Sequence, residues 1–165
     1  DGKPLMDLSV LTRDQKSVLG DLLGGRSVQQ IVPDGQKLAR VPGTGETGID
    51  DLYKVDRPDV DFLVIEYKFL SNNSKFGSSG LGKPTDGKQG SASWILGGDR
   101  LERSVGADQS RDVRLAVDAN RTETWLVRTR PDGATEIEVL DARGKVKDVD
   151  TSKILPPKNF NEGYP

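Results

Sequence analysis

Apolar positions along the chain change rhythm several times, and each change marks an element. Val18, Leu19, Leu22 and Leu23 recur at helical spacing, and Thr12 with Gln15 three residues on has the form of a capping box. A helix of about three turns is expected after Thr12, ended by Gly24 and Gly25, with residues 1–9 before it irregular. Residues 37–41 read as a first strand, and 42–48, rich in Gly and Thr, as a flexible loop. Two strands follow, 49–55 and 61–70, joined by a turn over 56–60 that contains Pro58. The second is apolar on both faces, as a buried central strand should be. Residues 71–86 are rich in Ser, Asn, Gly and Lys, a loop long enough to carry function or to move. Helical signals return over 89–96 and 100–105, interrupted at Gly97 and Gly98, and Asp108 or Ser110 is placed to cap a further helix to about Asn120. Residues 124–130 and 135–140 flank Pro131, Asp132 and Gly133, a hairpin signal. The tail from 153 to 165 is Pro-containing and irregular. Trp94, with Ile95 and Leu101 at helical spacing, and Trp125, on an alternating strand, read as core. The pattern is that of one α/β domain in which a mixed central sheet is flanked by helices.

Composition narrows the chemistry. The chain has 165 residues, of which 33% are hydrophobic; counting Gly raises this to about 45%, inside the globular range. One domain is expected, with its core over about 12–147. No apolar run reaches the ~20 residues of a membrane span and no signal peptide opens the chain, so a soluble protein with no membrane partner is expected. The start at Asp1 rather than Met points to a piece of a longer chain. There is no Cys and no His, which excludes thiolate nucleophiles, His general bases, Ser-His-Asp triads and zinc sites built on either residue. Carboxylates, Lys, hydroxyls and an oxygen-ligated hard cation such as Mg²⁺ or Mn²⁺ remain. The net charge is −2, but residues 68–103 carry 6 basic and 3 acidic side chains whereas 1–67 carry 8 and 12. Lys75, Lys83, Lys88, Arg100 and Arg103 therefore offer a local basic surface to an anionic ligand, or simply a solvated face.

The constellation of interest is Asp50 with Glu66-Tyr67-Lys68. Strand side chains alternate, so Glu66 and Lys68 share one face while Tyr67 points to the other with Ile65. An unpaired buried charge costs several kcal/mol, so two charges on a central strand require a metal, partners or solvent access. If the two strands form an antiparallel hairpin, residues near 50 lie opposite residues near 66, and the carboxylates of Asp50 and Glu66 can converge on one cation. Asp51 faces the opposite side, so only one of the two aspartates can join Glu66. Such a triad suits phosphodiester hydrolysis, with two carboxylates on the metal and Lys68 orienting the attacking water or neutralising developing charge. The plainer reading is a surface salt bridge between Glu66 and Lys68.

These residues carry a resemblance. Gly43 to Lys54 with its Gly48-Ile49-Asp50, then Glu66-Tyr67-Lys68, then Gly87-Lys88-Gln89 with Trp94, Ile95, Arg100 and Leu101, resemble restriction-endonuclease-like toxin domains. These are PD-(D/E)XK nucleases at the C-terminal ends of bacterial polymorphic toxins, including contact-dependent-inhibition and type VI secretion effectors. The likeness spans about residues 17–147, and Trp125 to Val146 looks like the additional closing β-hairpin of such domains. The resemblance implies Asp50 and Glu66 as metal ligands, Lys68 as the motif lysine, Gln89 near the active centre and Asp21 as an auxiliary acid matching a helical Gly-Glu. As a plainer alternative, Asp21 is a solvent-facing helix residue. Gly90 stands where that family usually has Met. The implied function is a Mg²⁺- or Mn²⁺-dependent endonuclease, DNA favoured over RNA. It would be delivered as the C-terminal part of a larger toxin, act in the target-cell cytoplasm and be neutralised by a cognate immunity protein. An RNase, tRNase included, on the same scaffold, or a binding module whose Glu66 and Lys68 form a structural pair, are the alternatives.

Overall fold

Thr12 caps the first helix reciprocally. Its hydroxyl accepts from the Gln15 N–H at 3.3 Å, and the Gln15 side chain accepts from the Thr12 N–H at 3.0 Å, so two backbone donors at the helix start are satisfied. The computed structural model describes residues 8–38, 48–70 and 81–150. In it helix α1 covers Arg13–Ile31, 19 residues, and runs through Gly24 and Gly25 instead of ending there. Gly24 is the point at which α1 meets the sheet: a Cβ there would lie 2.5 Å from Tyr67 Cδ1 and 3.1 Å from Val127 Cγ1. The buried positions of α1 are Gly20, Gly24 and Val28, four residues apart, whereas Val18 and Leu22 are 59% and 65% exposed. Small residues, not the leucine-rich stripe, make the docking face, because they let the helix axis approach the strands closely.

Five strands follow, β1 (Gln36–Lys37), β2 (Asp51–Arg57), β3 (Val60–Phe69), β4 (Thr122–Thr129) and β5 (Thr135–Leu140), and they lie in the sheet in chain order. The β1–β2, β2–β3 and β4–β5 pairs are antiparallel and β3–β4 is parallel. β3 is thus central, as its two-faced apolar sequence requires. The β2–β3 turn is only Pro58 and Asp59, tighter than expected. The parallel pair needs a crossover, supplied by α2 (Ala92–Leu96), α3 (Arg100–Val105) and α4 (Ala107–Asp118).

Two cores result. Val28, Tyr53, Leu63, Ile65, Trp125 and Val127 fill the space under α1, while Leu52, Phe62, Val64, Trp94, Leu101 and Val113 pack under α2 to α4. Both tryptophans are core, at 5% and 0% exposure. The chain is a single α/β domain with a mixed sheet between helices.

Three expectations change in detail. The helix expected from Gln89 begins at Ala92, with the Ser91 hydroxyl accepting from the Trp94 N–H. Neither Asp108 nor Ser110 caps α4, since Gly106 links it directly to α3. The hairpin expected as an addition is part of the central sheet, because β4 is the parallel neighbour of β3. The segments 1–7, 39–47, 71–80 and 151–165, and with them most of the expected first strand, nearly all of the 42–48 loop, the first ten residues of the 71–86 loop and the tail, lie outside the described residues. Among the described residues no helix is long and apolar enough to cross a membrane.

Candidate metal and phosphoryl site

The short β2–β3 turn sets the register that assembles the site. Asp51 pairs with Ile65, which puts Asp50, just ahead of the strand, level with Glu66. The Asp50 carboxylate accepts the Tyr67 N–H at 2.8 Å, so a backbone donor of the central strand holds it at the sheet end. Glu66 has no exposed surface. One of its oxygens accepts from Gln89 Nε2, and the other, Oε1, is buried with no hydrogen-bond partner among the described residues. Burial, then the charge of Asp50, pushes the Glu66 carboxyl well above the ordinary carboxylate range; Lys68, the Gln89 bond and Arg100 work against that rise. The expectation of a surface pair between Glu66 and Lys68 fails on this point, since Glu66 is interior and only Lys68 reaches partway to solvent.

Gln89 reaches Glu66 because of Gly90. That glycine has φ +80°, and a Cβ on it would meet Leu140 Cδ1 at 2.7 Å, so any other residue at this turn would be strained. Gln89 is held on both sides: its N–H donates to the Gly82 carbonyl at 2.8 Å and its Oε1 accepts from the Gly82 N–H at 3.1 Å. The orientation of its amide is therefore dictated by the 82–89 loop, and the NH₂ group is left to face Glu66.

Beside Asp50 opens a cleft of about 640 Å³ lined by Asp21, Leu22, Lys37, Leu38, Asp50, Asp51 and Tyr67. Asp21, on the exposed side of α1, therefore shares a cleft with Asp50. Asp51 faces the α1 side, as alternation requires, and is tied to Lys37 at 2.7 Å and to the Tyr67 hydroxyl at 2.7 Å. Burial, then the Asp51 charge, raises the Tyr67 hydroxyl far above its usual range, and Tyr53 beside it is pushed up to about 12.

Among the described residues, the basic side chains of 68–103 do not line this cleft. Arg100 lies over the Trp94 ring at 4.4 Å, pairs with Asp86 at 2.8 Å and donates to the Trp94 and Gly97 carbonyls. It is committed to closing α2 onto the loop. Arg103 pairs with Asp99 one turn earlier at 2.8 Å. Lys83 is exposed and Lys88 half-buried, and Lys75 lies outside the described residues. Among the described residues the cation in the lining is Lys37; the strand expected to begin there is found as the two-residue β1, but nothing in the sequence placed its lysine beside Asp50. Arg128 was also missed: it is 2% exposed on β4 and pairs with Glu138 at 2.6 Å. Its signal was the alternation of Arg128 and Arg130 with Glu136 and Glu138 across a recognisable turn.

Among the described residues no group of three or more acidic side chains is arranged to hold a metal ion. Asp50 and Glu66 are level in register and close enough for the Asp50 charge to act on Glu66, but the cleft is lined by Asp50 and Asp21 and not by Glu66. No family model, curated protein or solved structure matches the chain.

Proposed function

We propose that this domain is a metal-dependent nuclease of the restriction-endonuclease-like class, acting on DNA, and that it serves as the toxic C-terminal part of a larger bacterial protein held in check by an immunity protein. The observation that carries the reading is the buried Glu66 Oε1, which lacks a hydrogen-bond partner beside a second carboxylate, Asp50. A buried acceptor left unsatisfied costs about 1–3 kcal/mol, more when charged, and a cation removes that penalty. Mg²⁺ fits such a pair because it keeps several waters and takes only one or two carboxylates, with substrate phosphate oxygens completing its shell.

Asp50 and Glu66 are the residues that would hold the ion, which when bound lowers the pKa of water and polarises a phosphoryl oxygen. The protein's own part is positional. The Tyr67 N–H fixes Asp50, Gln89 fixes one oxygen of Glu66, and the other oxygen is left to a ligand. Lys68, on the same face as Glu66, brings a positive charge to where negative charge develops on a phosphodiester under attack. Asp21 can accept a hydrogen bond from water entering the cleft.

Incubation of the protein with plasmid, duplex and single-stranded DNA and total RNA, with Mg²⁺ and with chelator, tests the reading and its RNase rival together. Chelator-sensitive cleavage that is lost in Asp50→Ala is the expected result. Titration calorimetry with Mn²⁺ gives the other arm: a binding module without a site gives no heat that depends on Asp50 and Glu66.

A further inference from the structure

The sheet face that carries Glu66 and Lys68 continues onto β4 and β5 with more charge than a sheet interior needs. Parallel pairing sets Glu66 beside Leu126 and Lys68 beside Arg128. Antiparallel pairing sets Leu126 across from Glu138 and Arg128 across from Glu136. Residues paired across neighbouring strands share a face, so Lys68, Arg128 and Glu136 form one row, with Glu66 and Glu138 in the next. Arg128 is 2% exposed, and its guanidinium reaches Glu138 at 2.6 Å and Glu136 at 3.9 Å. Arg130 also pairs with Glu136. The second Glu138 oxygen is buried with no hydrogen-bond partner among the described residues.

We propose that Arg128 is a positioning residue for Lys68: by engaging the two carboxylates of β5 it keeps them from drawing the Lys68 ammonium across the sheet, so that Lys68 stays with Glu66. The inference rests on the nuclease reading for its catalytic consequence, though not for its geometry. Without Arg128, Glu138 is a half-buried carboxylate facing the same side as Lys68, with one oxygen buried and unbonded among the described residues. Lys68 is then the cation in register with the vacated position, while Arg130 is engaged with Glu136. A flexible four-carbon stem lets an ammonium choose between carboxylates, whereas a planar guanidinium bridging two of them does not move. The strand register thus places a fixed cation between a mobile one and its competing partners.

The test compares Arg128→Met, Glu136→Gln/Glu138→Gln and the triple variant in the full chain. With duplex DNA and Mg²⁺, Arg128→Met should lower kcat by roughly 10-fold or more with KM little changed, as for a group acting on the transition state alone. The triple variant should regain most of that loss, because the competing carboxylates are gone; such non-additivity marks coupled neighbours. The second readout does not need activity. Lysine amines are labelled by reductive ¹³C-methylation, and the Lys68 signal is assigned with Lys68→Arg. That signal should move on Glu66→Gln in the wild-type background and on Glu138→Gln instead in the Arg128→Met background. If Arg128→Met does not fold, Arg128→Lys takes its place, and the signal should then respond to both changes. A folded Arg128 variant with wild-type kcat overturns the inference. So does a Lys68 signal that follows Glu66 alone in every background. Should the wild type cleave no nucleic acid, the nuclease reading fails while the labelling result still decides the role of Arg128.

Discussion

Replacing Glu66 by glutamine separates what the site does to stability from what it does for a ligand. The carboxyl is wholly buried, with one oxygen bonded to Gln89 and the other unsatisfied, and burial together with Asp50 raises its pKa well above the usual range. The native state then keeps a proton that the unfolded chain has already released. Stability from this group is fully present below the unfolded value, near 4.3, and is lost as pH rises through the window up to the folded value, the reverse of a salt-bridged carboxylate. Within that window the wild type should lose about 1.4 kcal/mol per pH unit from this group. Glu66→Gln has no proton to release, and its amide carbonyl still accepts from Gln89.

The difference in unfolding free energy between Glu66→Gln and wild type, measured by urea denaturation in chelator from about pH 5 to pH 8, should therefore grow at up to ~1.4 kcal/mol per pH unit in favour of the variant and then level off. Because Asp50 and Glu66 interact, the levelling point belongs to the pair. Asp50→Asn should move it to lower pH by removing a like charge. Other titrating groups, such as Asp61 held low by Arg121 and Asp141 held low by the Lys145 N–H, are common to both proteins and cancel in the difference. A flat difference curve, or a variant less stable than wild type at neutral pH, would refute the account of Glu66 as an uncompensated buried acid.

Asp50→Ala, Glu66→Ala and Lys68→Ala should each lower Mg²⁺-dependent cleavage by at least ~100-fold while the chain stays folded; circular dichroism alongside a plasmid assay checks both parts. Neutralising Lys75, Lys83, Lys88 and Arg103 should reduce the slope of log affinity against log salt by about 0.9 per lost duplex contact. An unchanged slope would make these residues a solvated surface. Gly24→Ala should destabilise by about 1–3 kcal/mol despite the better helix propensity of alanine, because its methyl would overlap the Tyr67 ring. Gly25→Ala, whose Cβ meets only the Tyr67 hydroxyl at 3.5 Å, should stabilise by about 0.4–1 kcal/mol. Thermal melts of the pair separate a packing glycine from a tolerated one.

The candidate site was legible where it depended on local rules. Alternation along 61–70 placed Glu66 and Lys68 together and Tyr67 opposite, and a hairpin between the two strands was enough to bring Asp50 level with Glu66. The capping box at Thr12 was equally local. Illegible features depended on a partner surface. Gly24 and Gly25 have the composition of a helix end, and only the Tyr67 ring beneath Gly24 explains why the helix continues. Gly90 reads as a helix breaker, and breaking the helix is what delivers Gln89 to Glu66. Arg100 looked like an open cation until Asp86 and the Trp94 ring were found around it. Lys37 needed β1, a strand of two residues, before it could be assigned to the cleft.

Two buried charges on one sheet face are treated differently, and the difference bears on function. Arg128 is answered by ion pairs to Glu138 and Glu136, whereas Glu66 has one amide bond and a carboxylate neighbour of its own sign, whose effect together with burial outweighs the charges of Lys68 and Arg100. Packing does not require an acid at 66: its row neighbour on β4 is Leu126, and Val64 precedes it on the same face. A buried ion replaced by an apolar or neutral group is often no less stable, while removing one member of a satisfied pair is strongly destabilising. Selection for stability alone, without activity, should therefore recover Gln or an apolar residue at 66 and retain arginine at 128. Deep mutational scanning with a protease-resistance readout checks this directly. Tolerance at 128 with intolerance at 66 would mean that Glu66 is held for the fold and not for a ligand.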